Sequence, residues 1–118
     1  MTTHALRRIE KPWGYEDVLW ENGSGDAAKR VKLLHINPGG RTSLQLHRRK
    51  RETIVCTAGA GRIQIGEEDQ VFMPSWSRSI PPLTVHRLIA DHGQLEVIET
   101  SFGDDADIVR LEDAYGRV

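Results

Sequence analysis

Turn-forming residues interrupt this chain too often to leave room for long helices. Asn22–Gly25, Pro38-Gly39-Gly40, Gly59–Gly61, Gly66, Pro74, Pro81-Pro82 and Asp91-His92-Gly93 cut it into short runs. Glycine supplies the positive φ that tight turns need and proline ends regular pairing, so such spacing favours strands. The runs themselves suit strands. Arg30–Ile36 sets Val31, Leu33 and His35 against Lys32, Leu34 and Ile36, and Thr53–Cys56 and Gly61–Ile65 are rich in β-branched residues. Val85–Ala90 and Leu95–Thr100 flank Asp91-His92-Gly93 and predict a hairpin. One segment departs from this pattern. Asp104–Tyr115 places Ile108, Leu111 and Tyr115 at helical spacing behind acidic residues, which predicts a short C-terminal helix. The expected fold is all-β, an antiparallel sandwich or jelly roll.

The length of 118 residues suits one hydrophobic core, so residues 1–118 are expected to form a single domain. Sixteen Lys and Arg against seventeen Asp and Glu leave no global field to draw the protein onto nucleic acid or an anionic membrane. Cys56 is the only cysteine, which excludes an intramolecular disulfide and a four-thiolate zinc site. The N-terminal stretch MTTHALRRIEKPWG lacks the apolar core of a signal peptide, and no run approaches transmembrane length. A cytoplasmic location is the expectation.

The stretch from Ser43 to Gly59 looks at first like a basic patch, because Arg48-Arg49-Lys50-Arg51 lies at its centre. Four consecutive cations resist burial and suit a solvated turn. Residues on either side matter more. Side chains alternate along a strand, so Gln45 and His47 project to one side, while Leu44 and Leu46 take the other. Glu52 lies five residues beyond His47, an odd step that a turn in Arg48–Arg51 would correct by starting a neighbouring strand. His86, after the stiff Ile80-Pro81-Pro82 segment, can supply a second imidazole. Two imidazoles, a carboxylate and an amide oxygen make a mixed N/O set for a divalent first-row metal, with positions left open for substrate. Any one of these residues alone is more often an ordinary core or surface group.

The spacing of the set resembles the cupins. Gly39 is followed by five residues, then Gln45, Leu46 and His47, then four residues and Glu52, then six and Gly59, and Pro81 and His86 fit the second cupin motif. Within that group the chain resembles the C-terminal domain of type II phosphomannose isomerases, found in bifunctional mannose-6-phosphate isomerase/mannose-1-phosphate guanylyltransferases. The resemblance rests on Pro12-Trp13-Gly14-Tyr15-Glu16, Pro38-Gly39, Ser43-Leu44-Gln45-Leu46-His47, Ile80-Pro81, His86-Arg87 and the run Asp107–Arg117. It implies a cupin jelly-roll barrel and one divalent metal ion (Zn, Mn, Co, Ni or Fe) held by Gln45, His47, Glu52 and His86. It also implies a phosphorylated sugar as substrate and a homodimer.

Four positions depart from the family pattern. Lys50 stands where the family carries an Arg implicated in isomerase activity, Thr53-Ile54 replace His-Trp, and Leu83 replaces the glycine of the second motif. Lysine keeps the charge but loses the planar fork of arginine. The implied activity is metal-dependent aldose–ketose isomerisation of the mannose 6-phosphate/fructose 6-phosphate type. Candidates for the base are Lys50 with a depressed pKa, Glu99, or Glu52 if it is free of metal. Arg87, Arg110 or the cationic loop would hold the phosphate, and Arg110, Glu112 and Tyr115 either reach into the pocket or cap the barrel. Trp13 and Tyr15 stack on a sugar or pack against the core or a partner. Two further readings stay open: another cupin metalloenzyme (an iron-dependent oxygenase or a lyase), and a non-catalytic cupin that binds a sugar or metabolite.

Overall fold

Residues 5–118 are described by the structure, a computed structural model. Two antiparallel sheets pack face to face. The larger one contains, in spatial order, β1 (Arg7–Lys11), β2 (Gly14–Asn22), β3 (Lys29–Ile36), β10 (Leu95–Phe102), β5 (Arg51–Gly59) and β8 (Ser77–Ile80). The smaller one contains β11 (Val109–Glu112), β4 (Leu44–Leu46), β9 (His86–Ile89), β6 (Gly61–Ile65) and β7 (Glu68–Phe72). Among the described residues the one helical element is a 3-10 turn at Gly25–Ala27, and no helix is long and apolar enough to cross a membrane.

Alternation along the strands builds the interior. Leu34 and Ile36 of β3, Ile54 and Cys56 of β5, and Leu95 and Val97 of β10 turn inward to meet Ile63, Phe72 and Leu88 of the other sheet. Burying each such aliphatic side chain contributes about 1.5–3 kcal/mol. Trp13 joins this cluster, whereas Tyr15 lies on the outer face, stacked on His35 with Arg8 above it. The inward rows change character towards one end. Leu34 pairs with Val97, but two residues along Lys32 faces Glu99, and beyond that Ser101 faces Glu52. All four of these polar residues are buried. Burying charge is costly unless the groups serve one another or a ligand, so this end of the barrel is where a site belongs.

Three sequence expectations need correction. Asp104–Tyr115 is not helical: Val109–Glu112 pairs with β4 as an edge strand, and Leu111 and Tyr115, part of the helix-like spacing, are exposed. Its acidic residues serve tertiary partners rather than a helix N-terminus, which overrides the local pattern. Val85–Ala90 and Leu95–Thr100 are not a hairpin either. β9 pairs with β4 and β6, and β10 pairs with β3 and β5, so Asp91-His92-Gly93 carries the chain from one sheet to the other. All four residues of β9 are buried, and a strand covered on both faces shows no alternation to betray its neighbours. Finally, the Arg48–Arg51 segment is only partly a solvated turn. Arg48 and Arg49 form an exposed bend, Arg51 already belongs to β5, and Lys50 points inward at 5% exposure. This bend also leads from one sheet to the other, so Glu52 faces His47 across the barrel rather than from a neighbouring strand.

Candidate metal centre and cavity

β4, β5 and β9 each contribute to one point. Side-chain donor atoms of His47, Glu52 and His86 all lie within 4.8 Å of one another, and all three residues are buried. His47 Nε2 is 3.1 Å and His86 Nε2 3.2 Å from the same oxygen, Glu52 Oε1. Gln45 is the direct cross-strand partner of His86, and Ser43 Oγ donates to its amide oxygen at 2.8 Å. The loop between β8 and β9 is fastened beside the site, because Leu83 N donates to the His47 carbonyl. Leu83 does this at φ 62°, in the left-handed region, where the family's glycine carries no penalty.

The outer nitrogens of both rings test whether a metal fits. His47 Nδ1 donates to the Asp107 carbonyl at 2.6 Å, and His86 Nδ1 to the Thr84 carbonyl at 2.9 Å. A carbonyl oxygen only accepts, so the neutral tautomers carry their protons on Nδ1 and turn Nε2 lone pairs towards Glu52. Without a cation, hydrogen bonds to Glu52 require both rings to take a second proton. Two imidazoliums would then stand 5.3 Å apart, centroid to centroid, around one carboxylate. A divalent cation replaces those two protons and meets one carboxylate and two imidazoles whose tautomers the backbone has already set. The donor chemistry fits a divalent metal.

A cavity of about 160 Å³ opens beside this cluster, lined in part by Gln45, His47, Glu52, Lys50, Glu99 and Arg110. Lys50 is its electrostatic hub. Its Nζ lies 3.0 Å from Asp105 Oδ1, 3.5 Å from Glu52 Oε2 and 3.8 Å from Glu99 Oε1. Lys32 Nζ donates to Asp105 Oδ2 at 2.7 Å and to Glu16 Oε1 at 3.2 Å. Burial alone would lower the Lys50 ammonium, but the Glu99, Glu52 and Asp105 charges outweigh it and raise it above the ordinary lysine value. The expected depression is therefore reversed, and Lys50 stays protonated instead of serving as a neutral base. Burial raises the Glu52 carboxyl, yet the hydrogen bonds that His47 and His86 donate when doubly protonated, together with the Lys50 charge, hold it well below the usual range. Glu99 moves the other way. Burial and the adjacent Glu52 charge push it well above that range, despite Lys50 and Lys32.

Asp105 and Asp107, on the strap between β10 and β11, were not among the site residues expected from sequence, although Asp107 opens the family run. Burial works to raise Asp105, but the Lys50 charge and hydrogen bonding from Lys32 bring it down to about 2. The Asp107 carboxylate accepts from the backbone N–H groups of Arg48, Arg49 and Lys50, while its carbonyl holds His47. Asp105 yields a prediction with a definite sign. A carboxyl lowered from 3.8 to about 2 contributes stability that is present above about pH 4 and lost as pH falls towards 2. Asp105→Asn should cost on the order of 2 kcal/mol at pH 7, and the gap should narrow below pH 4. Urea denaturation of both proteins between pH 3 and pH 7 measures it.

Other sequence candidates lie elsewhere. Arg87 alternates with His86 on β9, so its guanidinium leaves the cavity, donates to the Thr42 carbonyl and sits near Arg41 and Glu112. Tyr115 is exposed and its hydroxyl accepts from Arg41 N. Neither lines the cavity, and neither do Arg48 and Arg49.

The profile of the family described as mannose-6-phosphate isomerase, C-terminal, matches residues 1–113. The chain belongs to that family. Among curated relatives, alginate biosynthesis protein AlgA of Pseudomonas aeruginosa is 35% identical over 116 residues, covering 92% of this chain and 23% of its own length. Mannose-1-phosphate guanylyltransferase ManC of Salmonella typhimurium is 34% identical over 122 residues, covering 98% and 24%. This chain thus spans about a quarter of the length of these relatives. Of solved structures, a cupin-2 domain from Rhodospirillum rubrum superposes with a TM-score of 0.72 at 19% identity, covering 85% of this chain and 66% of its own. The capsular polysaccharide assembling protein CapF of Staphylococcus aureus gives 0.73 at 17%, covering 91% and 34%. At these identities the likeness establishes the fold, the cupin barrel. In this member of the mannose-6-phosphate isomerase C-terminal family, the departure at Lys50 sits inside the cavity, in contact with Glu52.

Proposed function

We propose that this chain catalyses metal-dependent isomerisation of a phosphorylated aldose, of the mannose 6-phosphate/fructose 6-phosphate type. One observation supports it most: in a member of this family, three metal-competent donors, His47 just past β4, Glu52 on β5 and His86 on β9, converge beside a cavity that also holds a second carboxyl group, Glu99. Gln45, His47, Glu52 and His86 would hold the ion, which when bound polarises a substrate carbonyl and stabilises developing negative charge. Residues of the chain do the rest. Glu99 is the group suited to take the proton from C2, the carbon beside the carbonyl, and return it to C1, the carbonyl carbon, because a carboxyl raised above its usual range can both accept and return one. Lys50 stays charged and holds Glu52 and Glu99 in place between the sheets. Proton NMR of mannose 6-phosphate in D2O with metal-loaded protein tests the reading. Loss of the C2 proton signal, with or without fructose 6-phosphate appearing, is the expected result. No exchange with Mn, Co, Ni, Zn or Fe would overturn it.

A further inference from the structure

Two cations in the cavity wall lack a counter-charge. Lys32 and Lys50 are matched by Glu16, Asp105 and Glu52, and Arg117 is held by both oxygens of Asp113 at 2.9 Å each. Lys11 and Arg110 remain. Among the described residues neither has an ion-pair partner, and Arg110 Nε is buried with no hydrogen-bond partner. A buried polar group left unsatisfied costs about 1–3 kcal/mol, more when charged, and such groups are rare unless a ligand supplies the missing partner.

Strand register puts these cations in position. Arg110 on β11 is the direct partner of Gln45 on β4, which in turn faces His86 on β9. The three side chains form one cross-strand row, with the guanidinium at its outer end and the candidate metal ligands inward. Lys11 ends β1 on the other sheet and lines the same cavity. We propose that Lys11 and Arg110 form the anion-recognition end of the cavity and take the phosphate of the sugar, with its carbonyl end towards Gln45, His47 and Glu52. The identity of the sugar rests on the isomerase reading; the phosphate grip does not. A guanidinium can meet two phosphate oxygens at once, and the second cation from the facing sheet fixes the direction in which the substrate enters.

Calorimetric titration of the metal-free protein with inorganic phosphate tests the grip, and kinetics of the metal-loaded protein with mannose 6-phosphate test the polarity. Arg110→Met and Lys11→Met should each weaken phosphate binding about tenfold or more and raise KM similarly, with kcat within about threefold. Arg110→Lys keeps the charge and should fall in between, which separates anion binding from a folding defect. Arg48→Met, on the exposed bend, should match the wild type. Phosphate binding that is absent in the wild type, or equal in all variants, overturns the assignment. Turnover with KM unmoved by both Met variants overturns it while leaving isomerisation standing. Arg110-dependent phosphate binding without turnover upholds the grip and removes the isomerase reading.

Discussion

His86→Ala, loaded with metal and then desalted, should retain less than about a tenth of the metal that the wild type keeps, and its proton exchange should fall at least about a hundredfold. The reason is the convergence on Glu52 Oε1. His47 and His86 approach that oxygen at 3.1 and 3.2 Å, each oriented by a backbone carbonyl, so the site is assembled before any ion arrives. Removing one imidazole leaves His47, Glu52 and the weakly donating amide of Gln45, too few strong donors to outcompete buffer for a first-row ion. The substitution also has a structural cost. His86 is buried, so alanine opens a void and leaves the Thr84 carbonyl without its donor, together about 2–4 kcal/mol. His86→Gln, which keeps volume and polarity, checks that metal loss is not merely unfolding. Metal content by mass spectrometry alongside circular dichroism decides it. A folded variant with one full equivalent of metal would remove His86 from the site.

The barrel and its candidate ligands were legible from sequence for the same reason: both are periodic. Turn residues at short spacing left mainly strands, and Gln45, His47 and Glu52 sit where strand alternation and one bend bring them together, whereas His86, on β9, was marked by its resemblance to the second cupin motif. Other features depended on which strand lies beside which, and local pattern carries no record of that. Asp91-His92-Gly93 has hairpin chemistry, yet it changes sheets. Lys50 was hidden inside a run of four cations, and its inward partners include Glu99 and Asp105, some 50 residues later in the chain. Lys32 did leave a trace, since it shares the inward register of Leu34 and Ile36 and so announces a buried cation needing carboxylates. Asp105 left none and Asp107 stood out only as the start of the family run, because acids before an apolar run read equally well as the start of a helix.

Lys50→Met should destabilise the protein by about 3–5 kcal/mol at pH 7, the cost of removing one partner from a buried ionic network. Methionine keeps the length and apolar stem of lysine, so packing changes little and the charge is what is lost. The base of that stem is closely covered: a Cβ on Gly103 would stand 2.9 Å from Lys50 Cβ and 3.2 Å from its Cγ. Without the ammonium, Asp105 keeps Lys32, but Glu52 loses its neighbouring cation and Glu99 faces Glu52 with Lys32 alone to offset the repulsion. The pH dependence follows from the signs. Lys50 is raised, so its contribution is intact below about pH 10 and constant across pH 6–9. Asp105 and Glu52 are lowered, so their share disappears as pH falls below about 4, and the difference from wild type should shrink there. Lys50→Arg retains the charge in a bulkier fork and should lie between the two, closer to the wild type. Urea midpoints at pH 4, 7 and 9 measure all three proteins. A deficit below about 1 kcal/mol at pH 7 would place Lys50 among solvent-screened surface pairs, contrary to its burial between the two sheets.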